Sequence, residues 1–361
     1  MWRAPGRVNL IGEHTDYNDG FVAPIALPLG ITARVTATTD GAVHARSVGV
    51  EPARFDLAGL APGTVEGWAA YVAGVVWALA ERGHDITGAD IDLDGDVPHG
   101  AGLSSSAALE CVVAIALDDV FGLGLTRDEL IAVARRAEND YVGLPNGVLD
   151  QSASLLCRAG HVLLLDTRSG ERRHVPFDLA AAGLALLVID TRAPHRLVDG
   201  EYAARRRDCE AAAAELGMTA LRDVVDLVAA LAALTDERLR HRVRHVVTEN
   251  ARVLEVMGIL DGGGDLRAIG PVLIASHMSL RDDYEVSSPE LDLAVSAALG
   301  AGAHGARMTG GGFGGSAIAL VDAASADDVT AAVTAGFAAA GFGPPSVFAA
   351  VAADGAHRVE V

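Results

Sequence analysis

The 361-residue chain contains no lysine; all 28 of its basic residues are arginines. That excludes a Walker A loop, the strand lysine of protein kinases and any Schiff-base mechanism, each of which needs a lysine amine. Cysteine is scarce too. Cys111, Cys157 and Cys209 make an odd number, and Cys111 falls inside a helical pattern, so they read as reduced thiols and not as a disulfide framework. Basic charge is in deficit: 48 acidic residues leave a net charge of −20, which disfavours nucleic acid and anionic membranes as partners. The longest apolar run, residues 179–189, falls far short of the ~20 residues that span a bilayer. Arg3, Pro5 and Arg7 interrupt any secretory pattern at the N-terminus, so the expectation is a cytoplasmic protein. The length suits two domains and can bury roughly 75% of the unfolded surface.

What is present gathers at three places. Residues 6–20 run from apolar Val8, Leu10 and Ile11 into a loop holding Glu13, His14, Asp16, Asn18 and Asp19. A core does not gather such groups, because each unpaired buried polar atom costs about 1–3 kcal/mol. A ligand rich in hydroxyls explains them, since carboxylates and an imidazole pair both the donor and the acceptor of a sugar hydroxyl. A solvated turn with Asx-type caps is the competing reading, and the loop alone leaves the two about even.

Residues 98–107 form the second place, a glycine-rich turn leading into a helix. Leu109, Val112, Val113, Ala116, Leu117 and Val120 repeat at steps of three and four, one apolar helical face, and Gly122 and Gly124 end it. Ser104, Ser105 and Ser106 therefore lie at a helix N-terminus, where free N–H groups favour an anion and a serine hydroxyl can ligate Mg²⁺. An ordinary N-cap would explain one serine, not three behind two glycines. A hydrolase nucleophile would want a Gly-x-Ser-x-Gly elbow, which is absent.

The third is the glycine run at 308–315. Gly310, Gly312 and Gly315 satisfy Gly-x-Gly-x-x-Gly, but the run lies late in the chain and leads into a strand at 316–321. A dinucleotide fingerprint should follow a first strand and open a helix, so a glycine wall against a ligand fits better. His241 and His245 have the spacing of two metal ligands on a helix, yet Arg240, Arg242 and Arg244 flank them and would repel a cation. A solvated or partner-pairing helix face is expected there.

The coarse pattern is α+β without clear repeats: a strand at 31–37, helices near 68–81 and 127–140, and a buried strand at 184–189. Ala- and Arg-rich helices follow, then a helix at 326–340 and a strand at 346–351.

These three blocks resemble the galactokinases of the GHMP kinase superfamily. The likeness continues through residues 137–139, 146–151, 200–202, 242–245, 248–250 and 281–284, in the family's order and over essentially the whole chain. It implies a two-domain α+β GHMP kinase fold: an N-terminal domain like ribosomal protein S5 domain 2 (1–182) and a ferredoxin-like C-terminal domain (183–361), with the active site in the cleft between. It also implies ATP-dependent phosphorylation of the anomeric hydroxyl of α-D-galactose, with galactose and ATP as the small-molecule partners and a monomeric protein.

Position by position, the resemblance makes Asp150 the catalytic carboxylate facing the anomeric hydroxyl, with Arg7 beside it to stabilise charge on the transferring phosphoryl group. It gives Glu13, His14, Asp16, Gly147 and Tyr202 to the sugar. ATP falls to Gly100, Gly102, Leu103, Ser104, Ser105, Ser106 and Ala107, with Gly311 and Gly312 from the third block. Trp68 and Tyr71 match aromatics near the adenine, although at their spacing a buried core pair is a close rival. Ser106, or else Ser105, and Glu138 match Mg²⁺ ligands.

Two departures stand out. Galactokinases usually carry a few tens of residues before this first block, whereas this chain starts at Met1-Trp2; a misplaced start or a missing edge element, lowering stability more than chemistry, is the expectation. Asn146 and Leu149 stand where the family often has Cys and Met, a mild change at 149 and a candidate for retuned sugar choice at 146. The rival readings are a kinase for N-acetylgalactosamine or arabinose, and a non-catalytic galactose sensor. Such sensors can lack the Ser-Ala pair seen here at Ser106-Ala107. A nicotinamide-dependent oxidoreductase built on the glycine run comes last.

Overall fold

The first strand, Trp2–Asn9, is buried along nearly its whole length because it lies inside a sheet and beneath a helix. A computed structural model describes residues 1–193 and 198–359. Among them, six strands form the first sheet in the order His357–Arg358, Trp2–Asn9, Pro24–Ala37, Ala89–Gly95, Ala42–Ser47, Ala53–Asp56. All neighbours are antiparallel except Ala42–Ser47 with Ala89–Gly95. The expected strand at 31–37 is the second half of Pro24–Ala37. A small sheet of Phe21–Val22, His161–Asp166 and Arg172–Pro176 flanks it.

The second large sheet runs Ser346–Ala350, Leu184–Asp190, Ser316–Asp322, Gly305–Thr309, all antiparallel. In chain order this is strand, helices, strand, strand, helix, strand, arranged fourth-first-third-second, the ferredoxin-like pattern. Leu184–Asp190 has no polar face because both faces are covered. Leu186 and Val188 pack into the core that also serves the first sheet, while Leu187 and Ile189 pack with Val243, Leu280 and Phe337. One apolar core thus runs from the first sheet into the second, and the last described strand, His357–Arg358, returns to pair with the first.

The helices follow their local signals. Ser105–Phe121 stops at Gly122, whose φ of 63° supplies the left-handed cap, and Ser104 just before it is also left-handed at φ 59°. Arg127–Arg136 starts on a capping box between Thr126 and Glu129. Its continuation, Ala137–Val142, is not α-helical as the sequence pattern predicts but a π-helical turn, a geometry that concentrates at functional sites. Ala326–Ala340 matches its expected span, ending at left-handed Gly341. No described helix is long and apolar enough to cross a membrane.

One irregularity places the site. The register between Trp2–Asn9 and Pro24–Ala37 slips between Pro5 and Arg7. There a Cβ on Gly6 would lie 2.6 Å from the Leu103 carbonyl oxygen, and the Arg7 amide donates to that same oxygen at 3.1 Å. The glycine lets the strand touch the serine-led turn backbone to backbone. Gly6→Ala should push the two apart and cost about 1–3 kcal/mol of stability, read as a lowered denaturation midpoint; an unchanged midpoint would show that this approach is not needed.

Candidate active site

Arg7 leaves the bulged strand and joins two further segments. Its Nη1 donates to the Gly102 carbonyl at 2.5 Å, while Nε and Nη2 reach Asp150 Oδ1 at 2.9 and 2.8 Å. Asp150 sits in the first turn of the short helix Leu149–Leu156, and its other oxygen, Oδ2, accepts from the Ser104 hydroxyl. The left-handed backbone at Ser104 aims that hydroxyl back at Asp150 while the next residues enter the helix. Both carboxylate oxygens are thereby fixed, and Oδ2 keeps a lone pair to spare.

Behind them lies a second acidic group. Glu138, on the π-helical turn, is buried; Oε1 accepts from the Ser106 hydroxyl at 2.8 Å and Oε2 from the Gln151 amide at 2.6 Å. Burial raises its pKa above the ordinary carboxylate value, and nearby Asp150 adds to the rise. Asn139, one residue on, clips residues 144–146 in place: its amide donates to the Asn146 carbonyl at 3.1 Å and accepts from the Asn146 N–H at 3.0 Å.

The acidic loop after the first strand is bound from behind. Glu13 is buried: Oε2 pairs with Arg307, and Oε1 accepts from the Gly310 amide at 3.0 Å, with Thr309 Oγ1 3.2 Å away. Burial raises its pKa against the pull of Arg307. Asp16 rises to about 6, through burial first and then the charge on Asp150. Gly147 faces Asp16 so closely that a Cβ would lie 1.6 Å from Oδ2, so no side chain fits while Asp16 holds this position.

His14, at φ 61°, has both ring nitrogens occupied. Nε2 lies 3.2 Å from the Gly311 carbonyl and Nδ1 2.8 Å from the Tyr17 hydroxyl. Burial holds its pKa down to about 3, so the ring is neutral at pH 7. A carbonyl only accepts, which assigns the proton to Nε2 and makes Nδ1 the acceptor from Tyr17. Tyr17 then accepts from Tyr284 at 2.8 Å, and Tyr284 from the Cys209 thiol at 3.0 Å, giving a hydrogen-bond chain of one direction. Tyr202 closes this corner, its ring 5.4 Å from His14 and 5.5 Å from Tyr17 between centroids.

Two cavities meet here. The larger, about 690 Å³, is lined by the glycine–serine turn from Gly100 to Ser106, with Glu138 and residues 144–146 opposite. The smaller, about 60 Å³, is walled by Glu13, His14, Asp16 and Gly147. Arg7, Asn146, Asp150, Tyr202 and Gly311 line both. Most of the residues singled out in the sequence therefore converge. The exceptions have local explanations. Ala107 is buried at the start of the serine-led helix, and Gly312 packs against Val286, whose carbonyl oxygen would lie 2.2 Å from a Cβ. Trp68 donates to the Glu51 carbonyl at 3.2 Å, and neither it nor Tyr71 lines either cavity.

Sequence reasoning passed over Asn9, Tyr17 and Tyr284 as site residues, although the first two lie inside the first motif and Asn9 stands two positions from Arg7. His245 pairs with partners, as expected of that helix face, but from inside the molecule: Nε2 is 3.1 Å from the Glu13 carbonyl and Nδ1 2.9 Å from Ser279 Oγ. His241 pairs with Glu237 at 3.6 Å. The three cysteines are free and buried.

Family models match along the chain: the galactokinase galactose-binding signature over residues 1–37, the GHMP kinases N terminal domain over 70–158 and the GHMP kinases C terminal over 259–339. The galactokinase of Streptomyces coelicolor is 57% identical, covering 99% of this chain and 94% of that protein. That of Mycobacterium tuberculosis is 48% identical over 98% and 97%. Among solved structures, Lactococcus lactis galactokinase complexed with galactose superposes with a TM-score of 0.95 at 34% identity, covering 99% of this chain and 94% of that one. The mevalonate kinase of Methanococcus jannaschii, at TM-score 0.71 and 15% identity, shares the fold. Family models, relatives and fold agree: this chain belongs to the galactokinase family of the GHMP kinases.

Proposed function

We propose that the protein transfers the γ-phosphoryl group of ATP to the anomeric hydroxyl of α-D-galactose, giving galactose 1-phosphate and ADP, with Asp150 taking the hydroxyl proton. One observation carries the residue assignment. Asp150 lines both the large cavity and the small one, so a single carboxylate faces the phosphate loop on one side and the acidic loop on the other.

The larger cavity suits ATP. Its wall is the N-terminus of the 17-residue helix Ser105–Phe121, whose free N–H groups suit an anion. Ser106 and Glu138 would hold Mg²⁺. A hydroxyl and a carboxylate paired at 2.8 Å in the cavity wall are hard oxygen donors, and no cluster of three acidic, His or Cys residues forms a metal cage among the described residues. That sparse set fits an ion that keeps waters and shares the phosphates. When bound, Mg²⁺ neutralises phosphate charge.

The smaller compartment suits a sugar. Asp16 and Glu13 accept hydroxyl protons, Gly147 leaves room for them, and Tyr202 presents a ring to the apolar side. In the reaction the anomeric oxygen bonds to the γ-phosphorus as its bond to the bridging oxygen of ADP breaks. The hydroxyl proton passes to a free lone pair of Asp150, and Arg7 stabilises charge on the phosphoryl oxygens.

The reading is tested by ADP release from Mg²⁺–ATP with galactose, N-acetylgalactosamine, arabinose and glucose. Turnover on galactose is the expected result; turnover on another sugar alone would move the substrate, and galactose binding without turnover would make the protein a sensor. Asp150→Asn should abolish most turnover while calorimetry still detects both substrates, and near-normal turnover would remove Asp150 as base. For Ser106→Ala the expected change is a higher Mg²⁺ requirement with an unchanged KM for galactose; the opposite pattern would contradict its metal role.

A further inference from the structure

Asn9 carries an unpaired donor in the wall of the small compartment. Its other polar atoms are engaged. The backbone N–H donates to Thr309 Oγ1 at 3.1 Å, and the carbonyl accepts from Arg307 Nη1 at 3.3 Å and from Thr309 at 2.9 Å. Side-chain Oδ1 accepts from the Ala23 amide at 3.2 Å. That contact fixes the orientation of the side-chain amide, since a flipped group would set two donors against each other. Nδ2 is left with no partner, although the residue is fully buried. Such a group costs about 1–3 kcal/mol unless something satisfies it.

The surroundings say what would satisfy it. Asn9 follows Arg7 by two positions on one strand, so both side chains leave the same face, and both line the compartment. That compartment is rich in acceptors: the carboxylates of Glu13, Asp16 and Asp150. Of its other donors, His14 is spent on the Gly311 carbonyl, and Arg7 has three of its five N–H groups on Asp150 and the Gly102 carbonyl. Carboxylates take the protons of sugar hydroxyls but leave the hydroxyl oxygens without donors. An amide N–H beside them completes the pairing.

We propose that Asn9 is a further sugar-binding residue, donating from Nδ2 to a hydroxyl oxygen whose own proton goes to a carboxylate of the same compartment. This rests on the sugar-phosphorylating reading above. It makes Asn9 a specificity residue, because an analogue lacking that hydroxyl leaves the amide buried and unpaired again.

The test compares the full-length protein with Asn9→Ala on galactose and on 2-, 3-, 4- and 6-deoxygalactose, measuring kcat/KM and dissociation constants. On galactose the variant should lose roughly tenfold to a hundredfold in kcat/KM, with the KM for ATP unchanged. For one deoxy analogue the wild type and the variant should agree within about twofold, because the hydroxyl that Asn9 serves is already gone. An equal loss on every analogue, or no loss on galactose, overturns the proposal. If Asn9→Ala fails to fold, Asn9→Leu goes through the same panel, since it keeps the volume and removes the donor without adding charge, while the Ala23 amide retains the Ile11 carbonyl at 3.0 Å. A wild type that leaves galactose unphosphorylated fails the proposed function itself and takes this inference with it.

Discussion

The ion pair between Arg307 and Glu13 holds together parts of the chain almost 300 residues apart. Arg307 is fully buried on the strand Gly305–Thr309, where Nη2 meets Glu13, Nη1 reaches the carbonyls of Asn9 and Leu10, and Nε reaches Ser276. Glu249 adds a second carboxylate; burial would raise its pKa, but Arg252 and Arg307 pull it down to about 2. Glu249 accepts in turn from the Gly12 amide at 3.0 Å. The acidic loop is thus bonded to the second sheet before any ligand arrives. Removing one partner of such a pair strands the other charge, typically at 3–5 kcal/mol, and here it would also release Thr309 and Gly310 from Glu13. The acidic loop and the third glycine block stand or fall together.

Arginine alone serves these roles, and its geometry explains why lysine is not missed. Arg7 spends separate nitrogens on Asp150 and on the Gly102 carbonyl, and Arg307 does the same across four partners. A point-charge ammonium cannot fix two segments at set angles in that way. The strongly acidic chain therefore needs no general positive surface to receive a nucleotide. On the function proposed above, one guanidinium and one helix terminus meet the phosphates, while the buried charges of Arg307, Glu13 and Glu249 are matched to one another.

How far the sequence disclosed this depends on the range of each interaction. The serine-led helix, its glycine stop and the helix Ala326–Ala340 are written in neighbouring residues, and periodicity alone placed them. The three motifs named most of the residues that meet around Asp150. The π-helical turn at Glu138 was hidden, since an extra residue per turn answers to the packing of Ala137 against Gly74 and not to a local pattern. The place of Tyr284 behind His14 was equally invisible, because the Tyr17 hydroxyl it meets lies 267 positions away. Gly6 looks like any glycine beside a strand until the Leu103 carbonyl appears beside it, and Gly147, named by the resemblance, shows its reason only against Asp16.

Burial decides which group in the small compartment responds to pH. His14 would be the usual suspect, but its ring is already neutral down to about pH 3 and keeps one tautomer, held by a carbonyl that can only accept. Protonating it would set two N–H groups on the ring and break the bond from Tyr17. Asp16 behaves differently. Its folded pKa of about 6 lies above the ordinary 3.8, so between those values the folded chain holds a proton that the unfolded chain has lost. That proton favours folding on the acid side, and the contribution is gone once the pH passes 6. On the function proposed above, sugar binding runs the other way, because only the ionised carboxylate offers all its lone pairs to hydroxyl protons. The compartment is best prepared for a sugar where Asp16 contributes least to stability, a conflict that a hydroxyl donating to Asp16 would relieve.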